Sequence, residues 1–147
     1  MKVLFDTNVV LDVLQQRKPH FIFSAPLMNR VEQGTVTGLL CATTVTTIAY
    51  LTEQYLMKEQ GKKRIEARAG TAIVLNMLLK IFDIAPVTRA VINSAANSRF
   101  EDFEDAVLHE SAVAAGFDGI VTRNQSDYEK STVAIYSPQE LEAVLSR

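Results

Sequence analysis
Acidic and amide side chains fall at three separated points of this 147-residue chain, in a pattern that could hold a cation. Asp6 is the first polar residue after the apolar run Val3-Leu4-Phe5. Asp102 and Asp105 lie in Phe100-Glu101-Asp102-Phe103-Glu104-Asp105, where acids crowd together and repel one another unless something positive sits nearby. Asn124 and Asp127 follow the apolar stretch Gly119–Thr122. Oxygen donors of this kind suit a hard divalent ion such as Mg2+ or Mn2+. A plainer role competes at the second point, where Asp102 could cap a helix and Asp105 could favour its dipole.

Other chemistries lack their residues. The chain has two histidines and one cysteine, too few for the usual zinc ligands. The first apolar run is followed by Asp6-Thr7-Asn8-Val9, with no glycine-rich phosphate cradle, and no Gly-x-Ser-x-Gly elbow occurs anywhere. A carboxylate-only site remains.

The elements that must position these groups alternate. Lys2–Phe5 reads as a first strand and Asn8–Gln15 as a largely buried helix. Pro19 and Pro26 bracket the entry to a second helix that stops at Gly34. Val36–Ala42 is a buried strand, and the threonines after it could cap a helix running to about Met57. A basic segment, Lys58 to Arg64, leads into a helix from about Arg64 to Leu79. The pattern continues with a strand over Ile81–Ile84, helices over Arg89–Ala96 and Phe103–Ala115, and strands over Gly119–Thr122 and Val133–Ile135. Pro138–Leu145 closes the chain as a helix with proline in its first turn. Strands separated by helices imply right-handed crossovers, hence a three-layer α/β/α sandwich on a parallel sheet of about four to five strands. No linker or repeat divides it, so one domain over residues 1–147 is expected. Ligands of such sheets bind beyond the carboxyl ends of the strands, where the strand order reverses. Asp6 and the Asn124/Asp127 pair are both delivered to that edge.

Composition is ordinary for a globular domain, with 48% hydrophobic and 22% charged residues. The net charge of −2 gives no bulk attraction for nucleic acid but leaves a phosphodiesterase open, since a metal ion and a local basic track can hold the backbone. Cys41 sits in an apolar stretch and reads as a buried hydrophobe. The amino terminus is too short in apolar residues for a signal peptide, and no stretch reaches the ~18 of a membrane span, so a cytoplasmic protein is expected.

Asp6-Thr7-Asn8-Val9, Asp102-Phe103-Glu104-Asp105-Ala106, and Ile120-Val121-Thr122-Arg123-Asn124 with Asp127-Tyr128 together resemble the PIN-domain (PilT N-terminus) nucleases. Within that family the chain is most similar to the small VapC-type toxins of bacterial toxin–antitoxin pairs. The resemblance implies Mg2+- or Mn2+-dependent hydrolysis of RNA phosphodiester bonds, an antitoxin partner, and a homodimer. Asp6 matches the first family acid and Asp105 the acid of the late helix. The final acid, often next after a Thr-Arg pair, is Asn124 here, so Asp127 stands in for it, with Asp102 assisting. The remaining family acid lies on the helix after the second strand, in a register that falls on Ala49 or Tyr50, and the nearest carboxylate is Glu53. Thr7 and Asn8 are expected to orient Asp6, and Arg123 to meet a phosphate. Arg17-Lys18 and the group Lys58, Lys62, Lys63, Arg64 and Arg68 could track an RNA backbone or simply be solvated surface. Two alternatives remain: a catalytically degenerate PIN fold that binds RNA or a protein without cleaving, and a phosphatase-like hydrolase with Asp6 as nucleophile. The second would want an Asp where Asn8 stands.

Overall fold
A computed structural model describes all of residues 1–147. Five strands, β1 (Lys2–Phe5), β2 (Thr37–Cys41), β3 (Asp83–Ala85), β4 (Gly119–Val121) and β5 (Ala134–Tyr136), form one sheet in the order β3-β2-β1-β4-β5. Every pairing is parallel. The seven helices are α1 (Thr7–Leu14), α2 (Phe21–Glu32), α3 (Ala42–Lys58), α4 (Arg64–Ile81), α5 (Arg89–Ala96), α6 (Phe103–Ala114) and α7 (Pro138–Leu145). The expected parallel α/β/α sandwich is therefore present.

Strand alternation divides the core in two. Val3 and Phe5 point to one face, into a cluster with Val9, Leu27, Ile48, Leu78 and Leu141. Leu4 points to the other, into a cluster with Val91, Val107, Leu108, Ala112 and Tyr128. Successive side chains of a strand face opposite ways, so both faces of β1 are covered and the strand reads as an unbroken apolar run. The helices supplying the two clusters form the outer layers.

Chain order places the site. From β1 the sheet grows one way through β2 and β3, then returns to the other side of β1 for β4 and β5. The reversal lies between β1 and β4, whose carboxyl ends stand side by side with Phe5 opposite Val121. Asp6 and Thr122 follow directly, joined by the Asp6 amide donating to the Val121 carbonyl at 3.0 Å.

Two local expectations are revised. Pro26 lies inside α2 rather than at its entry. The helix tolerates it because the proline is on the solvent side, while Ser24, Leu27 and Val31 hold the buried face. No threonine caps α3: Cys41 occupies its N-cap position and makes no side-chain cap. The caps of α5 and α7 are side-chain caps, from Thr88 and from the Ser137–Glu140 box, which is why those helices start where the residues say.

Candidate metal centre
At the switch point the sheet opens into a cleft of about 340 Å³, lined by Asp6, Thr7, Asn8, Asp102, Asp105, Asn124 and Asp127 among others. Four of the expected acids thus reach one place from three separate elements. Asp6 comes from the end of β1, Asp102 and Asp105 from the start of α6, and Asp127 from a single 3-10 turn over Gln125–Tyr128.

Asp6 occupies the N-cap position of α1 but does not cap it. Its Oδ2 accepts the Thr122 hydroxyl at 2.7 Å and the Asn8 amide at 2.9 Å. Asn8 Nδ2 also reaches Thr122 Oγ1 at 3.3 Å, while its Oδ1 accepts the Arg123 backbone N–H at 3.2 Å. The two side-chain donors therefore lock one carboxylate oxygen, and Oδ1 makes no side-chain hydrogen bond. Asp6 is only 8% exposed, and burial pushes its carboxyl above the usual range. The Thr122, Thr7 and Asn8 hydrogen bonds pull it back down, and the charge of Glu104 pushes it up.

Asp105 is pushed up to about 6, first by partial burial and then by the charges of Asp6 and Asp102. The Tyr128 hydroxyl donates to its Oδ1 at 3.3 Å and offsets part of this. Asp102 does cap α6, accepting the Asp105 N–H at 3.1 Å, and still lines the cleft. Capping and site roles coexist in that residue. A second groove of about 550 Å³, lined by Phe100, Glu101, Ser126, Glu129 and Lys130, shares Asp102, Asp105 and Asp127 with the cleft.

Two expected residues are not there. Glu53 is not among the cleft residues and approaches Arg64 of α4 at 3.9 Å instead. Arg123 turns inward to fully buried Asp12, with Nε 2.9 Å from Oδ2, and so is committed to an internal ion pair. Tyr50 is 64% exposed and also lies outside the cleft. His109, one turn beyond Asp105, is buried and accepts the Thr132 N–H on Nε2 at 3.0 Å.

Five residues enter the cleft that the sequence did not single out as site groups, and Leu11 of α1 and Leu108 of α6 are its apolar floor. Thr47 and Leu51 are what α3 presents, and Glu104 comes from the first turn of α6. The Thr47 hydroxyl stands 3.1 Å from Glu104 Oε1 and 3.2 Å from the Thr43 carbonyl, sharing its one proton between them. The signal for Glu104 was present in the crowded acids of Glu101–Asp105, but two exposed glutamates look alike until the helix is rotated into place. Arg17 also lines the cleft.

The donor set fits a hard cation. All candidate ligands are oxygens, and the repulsion that adds to burial in raising Asp105 is a charge imbalance that a cation relieves. As the side chains stand, no three Asp, Glu, His or Cys groups converge to enclose an ion. Few direct protein ligands is the condition in which Mg2+ is commonly held, since it keeps several of its waters.

With this geometry in view, the sequence is matched over residues 2–126 by the model of the PIN domain family, and the chain belongs to that family. No curated protein matches it. Solved structures with the same fold include VapBC2 from Rickettsia felis bound to a promoter DNA fragment, at 13% identity and TM-score 0.63, covering 93% of this chain and 98% of that one. A toxin–antitoxin complex from Klebsiella pneumoniae is similar at 18% identity and TM-score 0.66, covering 94% and 98%. FitAB bound to a DNA fragment is similar at 20% identity and TM-score 0.69, covering 93% and 95%. No helix of the chain is long and apolar enough to cross a membrane.

Proposed function
We propose that this PIN-domain protein is a metal-dependent endoribonuclease, the toxin of a toxin–antitoxin pair, with Asp6 and Asp105 as the core of its metal centre. The observation that carries this reading is the meeting of Asp6, Asp105 and Asp127, from three elements, in one cleft at the sheet's switch point. Asp6 and Asp105 would hold Mg2+ or Mn2+, with Asp127, Asn124, Asp102 and Glu104 as outer or additional ligands. When bound, such an ion supplies an activated water and stabilises charge on the phosphate oxygens.

The chain's own contribution is orientation. Thr122 and Asn8 hold Asp6 through Oδ2, which fixes the carboxylate plane before any ion arrives. Thr7 lines the cleft beside them. Tyr128, buried beneath Asp105, aims that carboxylate through its hydroxyl. Glu104, steadied by Thr47, brings to the cleft the negative charge that α3 does not present there. An antitoxin and a second copy of the chain are proposed as protein partners. Exposed Ile65, Ile73, Met77 and Leu79 on α4 supply apolar surface for them.

The test is cleavage of varied single-stranded RNAs by the purified protein with Mn2+ or Mg2+, beside Asp6→Asn and Asp105→Asn. Metal-dependent cleavage lost in both variants is expected. Cleavage that survives both would overturn the site. The presence of Thr47 and Leu51 where α3 faces the cleft favours a second reading, a binding module that does not cleave. Absence of cleavage with retained RNA binding would select it.

A further inference from the structure
Five carboxylates line the cleft, from Asp6, Asp102, Glu104, Asp105 and Asp127, and a polyanion has to enter it. Against them stands a single basic residue, Arg17. It follows α1, after Gln16, whose backbone takes the left-handed conformation at φ 49°. That turn lets the Arg17 N–H donate to the Asp12 carbonyl at 3.0 Å, and the Arg17 carbonyl in turn accepts the Phe21 N–H at 2.8 Å. These bonds close α1 in the left-handed stop common at helix ends, so the base of Arg17 is tied to the helix rather than trailing from a loose loop.

The guanidinium is not used up. Its Nε donates to Gln15 Oε1 at 3.0 Å, and neither terminal nitrogen has a protein partner. The chain's ion pairs are Arg30–Glu142, Arg64–Glu53, His109–Glu110 and Arg123–Asp12, so Arg17 pairs with none of the cleft acids. Arg123, nearer in sequence to the site, places its Nε against buried Asp12 and does not line the cleft, while Arg17 lines the cleft and also lends charge to Asp12 from that side. A half-buried arginine that lines an acidic cleft with both terminal nitrogens unpartnered offers the paired N–H groups that match phosphate oxygens.

We propose that Arg17 is the phosphate-binding side chain of the cleft, its terminal nitrogens taking the non-bridging oxygens of a nucleic-acid phosphodiester lying across the Asp6/Asp105 centre. This rests on the nuclease reading for the identity of the polyanion. Arg17 contacts the backbone and not the ribose hydroxyl, so it serves single-stranded RNA and DNA alike.

The test compares wild type, Arg17→Gln and Arg17→Lys, each confirmed folded by circular dichroism. Fluorescence anisotropy with a labelled single-stranded RNA and the matching DNA, in Ca2+ across a salt series, is read beside Mn2+ titration without nucleic acid. Arg17→Gln is expected to weaken both oligonucleotides about tenfold and to flatten the salt dependence by about one phosphate contact, with Mn2+ binding unchanged. Arg17→Lys should keep the salt slope and recover part of the affinity. Unchanged affinity and slope in Arg17→Gln would overturn the proposal, as would a loss confined to RNA or a parallel loss of Mn2+ binding. A wild type that binds oligonucleotide through Arg17 without cleaving would remove the nuclease reading and keep this one. One that cleaves equally well as Arg17→Gln would do the reverse, and one that neither binds nor cleaves would remove both.

Discussion

Replacing Asp105 by asparagine should make the metal-free protein more stable while removing its response to metal. In the folded protein the Asp105 carboxyl is pushed from 3.8 to about 6 by burial and by the neighbouring acids. The folded state then holds this proton more tightly than the unfolded chain does. The ionised group costs stability at neutral pH, and the cost disappears as pH falls from about 6 toward 3.8. A shift of that size corresponds to ~3 kcal/mol at most. Partial exposure of the carboxylate screens it, so about 1–2 kcal/mol is the expected gain. Asparagine keeps an oxygen for the Tyr128 hydroxyl and removes the charge. In a domain of this size that gain is a Tm higher by about 3–6 °C in EDTA at about pH 8. At about pH 4.5 folded wild type carries the Asp105 proton while the unfolded chain is still largely ionised, and the difference should shrink to about a third of its value at about pH 8. Mn2+ at 100 times its dissociation constant should stabilise wild type by ~2.7 kcal/mol and the variant by far less. The assay is thermal unfolding of both proteins at the two pH values, with EDTA and with Mn2+. A variant less stable than wild type in EDTA at about pH 8 would refute the reasoning. So would a gain of the same size at both pH values.

Other substitutions read other parts of the structure. Thr122→Val keeps the side-chain shape and removes the donor to Asp6 Oδ2, so Mn2+ affinity measured by calorimetry should fall about tenfold with the fold intact. Arg123→Ala leaves fully buried Asp12 without its cation and should cost about 2–3 kcal/mol in urea unfolding, the partial exposure of Arg123 holding the loss below that of a fully buried pair. Gly38→Ala would bring a Cβ to 2.7 Å from Phe82 and Val31 on the covered face of β2, and should lower the urea midpoint by an amount equivalent to about 1–3 kcal/mol. Tyr128→Phe keeps the buried ring and loses the hydroxyl bond to Asp105, so a change in stability within about 1 kcal/mol is expected, together with a further rise of the Asp105 pKa seen by NMR titration.

The strand-end residues were legible because their positions follow from topology alone. Once Lys2–Phe5 and Gly119–Val121 are parallel neighbours at the reversal of strand order, Asp6 and the residues after Val121 must share an edge. Asp105 was legible for a related reason, since a helix start fixes which way its first turn faces. The α3 residues were not. A helix turns about 100° per residue, so a register two positions late, at Ala49 instead of Thr47, looks to the opposite side. Thr47 and Leu51, four apart, share the cleft face, while Glu53 falls toward α4. Arg17 and Arg123 changed places because sequence proximity says nothing of where a long side chain goes. Buried Asp12 claims Arg123, and the turn at Gln16 carries Arg17 to the cleft. The same dependence on helix rotation hid Glu104, whose role needs Thr47 from another element.

The central claim is that Asp6 and Asp105 hold a metal that activates water against an RNA phosphodiester. End-group analysis of RNA treated with the purified protein and Mn2+, beside Asp6→Asn and Asp105→Asn, tests it most directly. Attack by water leaves linear terminal phosphates and no 2′,3′-cyclic phosphate, and each substitution should abolish the products. Cyclic phosphate ends, or equal yields from all three proteins, would contradict it.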